Sequence, residues 1–322
     1  MTPDERAYYA TQSRISDPGD RAALFATMPS DPARLITAVT GLVLHETFVK
    51  ALGITPDPAS GDDIESRTIT RIMDRILARD GAPLDVARPP ERRFIGVCRD
   101  YTMVACAALR HHGVPARARV GFADYFAPGF QEDHWVCEYH DGARWRLLDP
   151  ELGPRVREHF RITFPPDDVP RERFLTGGGA WQRVRQGTPD PATCGLSSQG
   201  MRGDWFVAGN VVRDLAALNK REMLPWDVWG VMREWGPGGR ISEAVAARLD
   251  DVAAVIARSE PEWKVVRELY DADEALRVPS RVIGKGAWVP VDGLLGATRG
   301  RRRAAFCPRR PPLARRPATP TA

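Results

Sequence analysis

Phe94-Ile95-Gly96-Val97-Cys98-Arg99-Asp100-Tyr101, continuing through residues 102–108 to Leu109-Arg110-His111-His112-Gly113-Val114-Pro115, predicts a helix that begins at Cys98. Val104, Ala105, Ala107, Ala108 and Leu109 supply an apolar, breaker-free interior. His111 and His112 fall in the last turn, where their charge complements the helix C-terminus. Gly113 is the natural left-handed ending, and Pro115 prevents continuation. Cys98 therefore sits at the helix N-terminus, where free N–H groups and the macrodipole favour thiolate over thiol. Thiolate is the nucleophilic form, so this is where a reactive cysteine belongs.

A nucleophile needs a base, and the base needs an orienting group. Asp133-His134-Trp135-Val136-Cys137-Glu138-Tyr139-His140 and Ala143-Arg144-Trp145-Arg146-Leu147-Leu148-Asp149 flank Asp141-Gly142, the preferred dipeptide of a two-residue hairpin turn. That loop length predicts the pairs 140 with 143, 138 with 145, 136 with 147 and 134 with 149. His134 and Asp149 become direct cross-strand neighbours, about 4.5–5.5 Å apart at Cβ. Such a pair fixes the imidazole tautomer and stabilises the imidazolium. A one-residue slip would send the two to opposite faces, so the reading rests on the loop length.

These residues resemble the transglutaminase-like superfamily of papain-like cysteine enzymes. The match runs from Phe94 to Pro150 through Gly96-Val97-Cys98-Arg99-Asp100, Gly113-Val114-Pro115-Ala116-Arg117, His134 and Leu148-Asp149-Pro150. The resemblance implies an α+β, papain-like core in which one cysteine-bearing helix packs on an antiparallel sheet. It also implies Cys98 as acyl-accepting nucleophile, His134 as base and Asp149 as orienter. The backbone N–H of Cys98 is one contributor to an oxyanion site; no side-chain donor upstream of the cysteine is assigned.

Outward from this core the sequence is mostly helical. Residues 31–53 read as one helix, ended by Gly53, and a second opens at Gly61-Asp62-Asp63 with Ile64, Ile69, Ile72, Met73 and Ile76 on its face. Residues 82–93 suit a surface linker. Residues 151–202 read as irregular, with Gly177-Gly178-Gly179 a flexible loop. Helices return over 204–220, 224–235, 241–259 and 261–276. The expected organisation is an N-terminal helical region (1–90), a catalytic core (91–165), a mainly helical extension (166–292) and a disordered Arg/Pro-rich tail (293–322).

The formal charge of +4 misleads about the body of the protein. Eight arginines and no acid follow Asp292, and without those eight the rest carries −4. The tail has no aromatic interleaving and no amphipathic face, so no specific nucleic-acid or membrane partner is expected. No apolar run approaches the roughly 20 residues of a membrane span, and the first residues lack a secretory pattern. Five irregularly spaced cysteines (98, 106, 137, 194, 307) argue against a disulfide framework and for a cytoplasmic protein. Cys106, Cys137 and Cys194 read as small core residues, His45, His140 and His159 as structural histidines, and Trp205, Trp226, Trp229 and Trp235 as core of the C-terminal helices.

There is no C-x-x-C, no H-E-x-x-H and no calcium loop, so neither metal nor other cofactor is implied. The leading expectation is a cysteine hydrolase or acyltransferase (protease-, amidase- or transglutaminase-like). It would attack an amide or thioester of a protein, peptide or small molecule through an acyl-enzyme. A non-catalytic binding module on the same fold is the alternative from another class. Arylamine-type acyl transfer on the same triad would call for Arg-Gly-Gly before the cysteine, which Phe94-Ile95-Gly96-Val97 does not supply.

Overall fold

The computed structural model describes residues 1–51 and 53–291; the expected disordered tail, 293–322 with its Cys307, lies outside them. Helix α1 (Pro3–Ala10) is capped by Thr2, and α2 (Pro32–Leu42) by Asp31, whose Oδ1 accepts the Arg34 N–H at 2.9 Å. The run from 31 to 53 is not one helix. Val43–His45 leave it as strand β1, followed by α3 (Glu46–Ala51), because this segment pairs in parallel with β2 (Phe94–Gly96). Helix α4 (Ile69–Arg79) starts later than Gly61 suggested. Thr68 caps it, while Asp63 is engaged by Arg79 at 2.6 Å, Arg75 at 3.1 Å and the Ile95 N–H at 2.9 Å.

Helix α5 (Cys98–His111) begins at the cysteine as expected, and Gly113 takes the left-handed conformation, φ +72°. Every residue from Cys98 to Arg110 is buried. The helix packs on β3 (Ala116–Ala123) and β4 (Gln131–His140), an antiparallel pair in which Gly121 faces His134. Trp135, Cys137 and Tyr139 of β4 join the α5 core, whereas Val136 joins a second cluster with Tyr125, Leu147 and Phe174. The sulfurs of Cys106 and Cys137 touch at 3.3 Å, and both cysteines are free.

Strand β5 (Trp145–Leu148) pairs with β4 in a register two residues from the expected one. His140 faces Trp145, and Glu138 faces Leu147. The loop spans four residues, 141–144, because Asp141 Oδ1 accepts the N–H groups of both Ala143 (2.8 Å) and Arg144 (2.9 Å). A shift of two preserves which residues share a face. His134 and Asp149 therefore become diagonal rather than direct neighbours.

Residues 151–202 are more regular than the sequence suggested: α6 (Pro154–Phe160), β6 (Phe174–Thr176), α7 (Gly177–Arg185), β7 (Cys194–Leu196) and β8 (Met201–Arg202). The sheet runs β6-β3-β4-β7-β8, with β5 also on β4. The triple glycine opens a helix instead of forming a loop. Thr176 caps it, and a Cβ at Gly177 would lie 2.4 Å from the Asn210 carbonyl oxygen, so glycine lets α7 pack close. The C-terminal part holds α8 (Asp204–Leu218), α9 (Glu243–Ile256) and α10 (Trp263–Ala272), and then the β9 (Arg281–Gly284) and β10 (Ala287–Pro290) hairpin. The helix expected over 224–235 reduces to a 3₁₀ turn at Gly230–Glu234. Among the described residues no helix is long and apolar enough to cross a membrane.

Buried charge ties the sheet to its flanks. Glu138 on β4 accepts from Arg117 (2.7 Å), Arg119 (3.3 Å) and Arg171 (2.7 Å), and Arg119 also grips Asp214 of α8 at 2.9 and 3.0 Å. Burial alone would push Glu138 up, but the three guanidiniums outweigh it and hold the carboxyl at about 2. Glu138→Gln leaves these arginines undercompensated, so a loss of about 3–5 kcal/mol is expected in urea unfolding at pH 7. Because the folded-state value is depressed, the wild-type advantage exists above the ordinary glutamate range and shrinks as pH falls through it towards 2. An unfolding midpoint unchanged at pH 7 would refute the role of this network.

Candidate active site

The turn from β2 into α5 is fixed by Asp100, whose Oδ2 accepts the Val97 N–H at 3.0 Å. A Cβ at Gly96 would come within 2.9 Å of that oxygen, so the position needs glycine. This turn presents Cys98 at the first helical residue, 7% exposed. His134 lies on the part of β4 between the residues paired with β7 (131 and 132) and those paired with β5 (137–140). Asp149 follows β5 directly, its N–H bonded to the Pro166 carbonyl at 2.8 Å.

The three sequence-predicted residues come together. His134 Nε2 lies 2.8 Å from Asp149 Oδ2, which also accepts the Tyr125 hydroxyl at 2.6 Å, and Asp149 Oδ1 accepts the Glu151 N–H at 3.0 Å. A carboxylate taking donors on both oxygens assigns the proton between it and the ring to Nε2. The other ring nitrogen, Nδ1, is not engaged by Asp149, and the Cys98 thiol is near enough to the ring for each to act on the other's ionisation.

Electrostatics pull the pair in opposite directions. Burial disfavours a charged His134, but the charge and hydrogen bond of Asp149 outweigh it and hold the imidazole well above its ordinary value. Burial pushes the Cys98 thiol up to about 11, against the hydrogen bond and charge of His134. The lowering expected from the helix N-terminus is overcome because the sulfur is shielded from water. Around the imidazole the packing is aromatic: the Phe126 ring lies 4.9 Å from that of His134, Phe160 packs 5.1 Å from Phe126, and Phe48 lies 6.3 Å from Phe160.

Several site residues were not singled out from the sequence. Tyr125 had no local signal. Glu151 had none either, since it lies in the turn after β5, where the Leu152 N–H bonds the Asp149 carbonyl. Asp133 is held by Asn210 Nδ2 at 2.7 Å and acts electrostatically on Cys98; burial pushes its carboxyl up to about 6. His45, read as a structural residue, is near enough to His134 to feel it. Burial first, and then that neighbour, push its imidazole down to about 3. Cys106, Cys137 and Cys194 are buried away from this chemistry.

The model of the transglutaminase-like superfamily matches residues 67–150. No curated protein matches the sequence. Among solved structures, a candidate cysteine protease from Cytophaga hutchinsonii aligns at 17% identity with a TM-score of 0.31. That alignment covers 55% of this chain and spans less than half of the other, 46%. The family match takes in α4 as well as the stretch from Phe94 to Pro150 on which the resemblance was first read. Cys98, His134 and Asp149 all lie within residues 67–150, the stretch that matches the transglutaminase-like superfamily.

Proposed function

We propose that this protein is a cysteine hydrolase or acyltransferase in which Cys98 attacks an amide or thioester carbonyl. The thiol proton passes to His134 when the ring is neutral and to solvent when it is already charged. The imidazolium then stabilises the thiolate and gives its proton to the leaving group, and Asp149 holds the ring and stabilises its charge. The acyl group then passes to water or an amine. The observation that carries the reading is a buried imidazole bonded to a carboxylate with donors on both oxygens, within electrostatic reach of a helix-start thiol. Packing of α5 on the antiparallel β3–β4 pair supports the papain-like arrangement that the family implies.

Cys98 is hardly exposed, and this favours a second reading, a binding module with an inert thiol. The aromatic packing on His134 offers a way to separate the two. In the enzymatic reading, Phe126 must yield to substrate, and the thiol becomes competent as water and substrate reach it.

Iodoacetamide labelling of Cys98, followed by peptide mass spectrometry from pH 6 to 10, tests the pair. A thiol pushed up by burial labels faster with every step in pH, and His134 supplies the opposing pull. His134→Ala is therefore expected to slow labelling at pH 7 by about tenfold or more. Phe126→Ala should shift the profile to lower pH. Equal, slow labelling in wild type and His134→Ala would establish an ordinary thiol and the binding module.

Asp149→Asn keeps the shape of the site but removes the charge that holds His134 in its working state. Acylation by an activated ester should fall by about 10²- to 10⁴-fold. A change of less than threefold would remove Asp149 from the mechanism.

A further inference from the structure

Glu151 stands out among the groups around Cys98. It is 5% exposed, and its Oε2 is buried without a hydrogen-bond partner. A buried carboxyl oxygen with no partner is costly in a folded protein and calls for an explanation in function. Its backbone is held on both sides: the N–H donates to Asp149 Oδ1 at 3.0 Å, and the carbonyl accepts from Gly153 N–H at 2.8 Å. Gly153 is locked in turn, since a Cβ there would meet Thr40 at 2.9 Å. The carboxyl is near enough to Cys98, His134, Asp149, Tyr101 and Tyr125 to act on each electrostatically. Its backbone is thus fixed to Asp149, and its carboxyl is a buried, unsatisfied polar group within electrostatic reach of Cys98.

We propose that Glu151 is a neutral carboxylic acid that donates a hydrogen bond to the acyl oxygen of the substrate as Cys98 attacks. This inference rests on the reading of Cys98 as nucleophile and adds the side-chain oxyanion donor that the sequence upstream of the cysteine does not provide. The step balances without proton transfer from Glu151. The thiolate forms the C–S bond, the carbonyl π pair moves onto oxygen, and the Glu151 O–H bonds to that oxygen. On collapse the C=O re-forms and the leaving group departs, with the His134 proton where it needs one.

The protonation state agrees with the role. Burial pushes the Glu151 carboxyl up to about 8, with His134 pulling down and Asp149 pushing up, so the acid form prevails at neutral pH. A carboxyl kept neutral by an apolar site is an established way to supply such a donor. It also avoids a negative charge beside a developing oxyanion.

The test compares two reactions of the full chain at the same sulfur. Acylation by p-nitrophenyl acetate, read as the burst of p-nitrophenolate, needs oxyanion stabilisation; alkylation by iodoacetamide needs only the thiolate. Their ratio removes the ionisation of Cys98 and His134 from the comparison. Glu151→Met should lower the ratio by about 30-fold or more, in keeping with the roughly 10²- to 10³-fold effect of one oxyanion donor. Glu151→Gln, which restores an N–H donor, should lower it by less than tenfold.

A second readout does not depend on the Met variant folding. The wild-type ratio should decline above about pH 8, as the carboxyl loses its proton, and stay flat in Glu151→Gln. Of the neighbouring groups named above, Tyr101 and Tyr125 are pushed up by burial, away from this range, and the histidine and thiol act on both reactions. A Met variant within threefold of wild type, or a wild-type ratio flat through pH 8, overturns the role of Glu151. Absence of acylation at Cys98 in the wild type sinks the catalytic reading beneath it as well.

Discussion

A helix buried from its first residue to its last turn has no water for its charges, and α5 carries Arg99, Asp100 and Arg110 with side chains at essentially zero exposure. Each must therefore find a partner in protein. Arg99 donates to Asp100 at 3.1 Å and to the carbonyls of Ser66, Arg67 and Glu222. Arg110 reaches Glu222 Oε1 at 3.1 Å, Ser16 Oγ at 2.8 Å and the Ala116 carbonyl at 3.0 Å. The segments around residues 16, 66 and 222 are thus required if the cysteine helix is to sit where it does. This gives the long helical flanks a physical role: they neutralise and cover the helix that presents Cys98.

The same logic extends through the sheet. Glu138 with its three arginines, Arg119 with Asp214, and Asp63, which holds Arg75, Arg79 and the Ile95 N–H of β2, each link a strand to an element distant in sequence. Buried pairs of this kind are poor sources of net stability, but leaving one charge unmatched is severe. They consequently penalise alternative packings more than they reward the native one. That suits a site whose working groups come from α5, the middle of β4 and the residue after β5.

The local chemistry of α5 was legible in the sequence because it is written in nearest neighbours: Cys98 at the start, an unbroken apolar run, Gly113 at the end. The hairpin was legible in its alternation but not in its register. Asp141 can serve a two-residue turn or accept two N–H groups of a four-residue loop, and only the packed structure selects the second. The His134–Asp149 pairing survived because the error was even. What the sequence could not reveal depends on distant partners. Val43–His45 carries helical periodicity until β2 pairs with it, and Gly177-Gly178-Gly179 resembles a loop until Asn210 and Ile256 close on it. Tyr125 enters the site from a loop with no local pattern, and Glu151 matters only once burial has removed its partners.

The site is held in tension by the burial that organises it. Removing water strengthens the grip of Asp149 on His134, and the resulting positive ring favours a thiolate beside it. Removing water also penalises the thiolate itself, and here that penalty is the larger. The two effects respond differently to a substrate. In the proposed reaction, an arriving carbonyl that displaces Phe126 from His134 would leave the buried Asp149–His134 bond intact while giving the sulfur a polar neighbour and an electrophile. On the proposed reading, burial keeps Cys98 as a thiol until substrate arrives, and the imidazole–carboxylate pair is already in place to meet it.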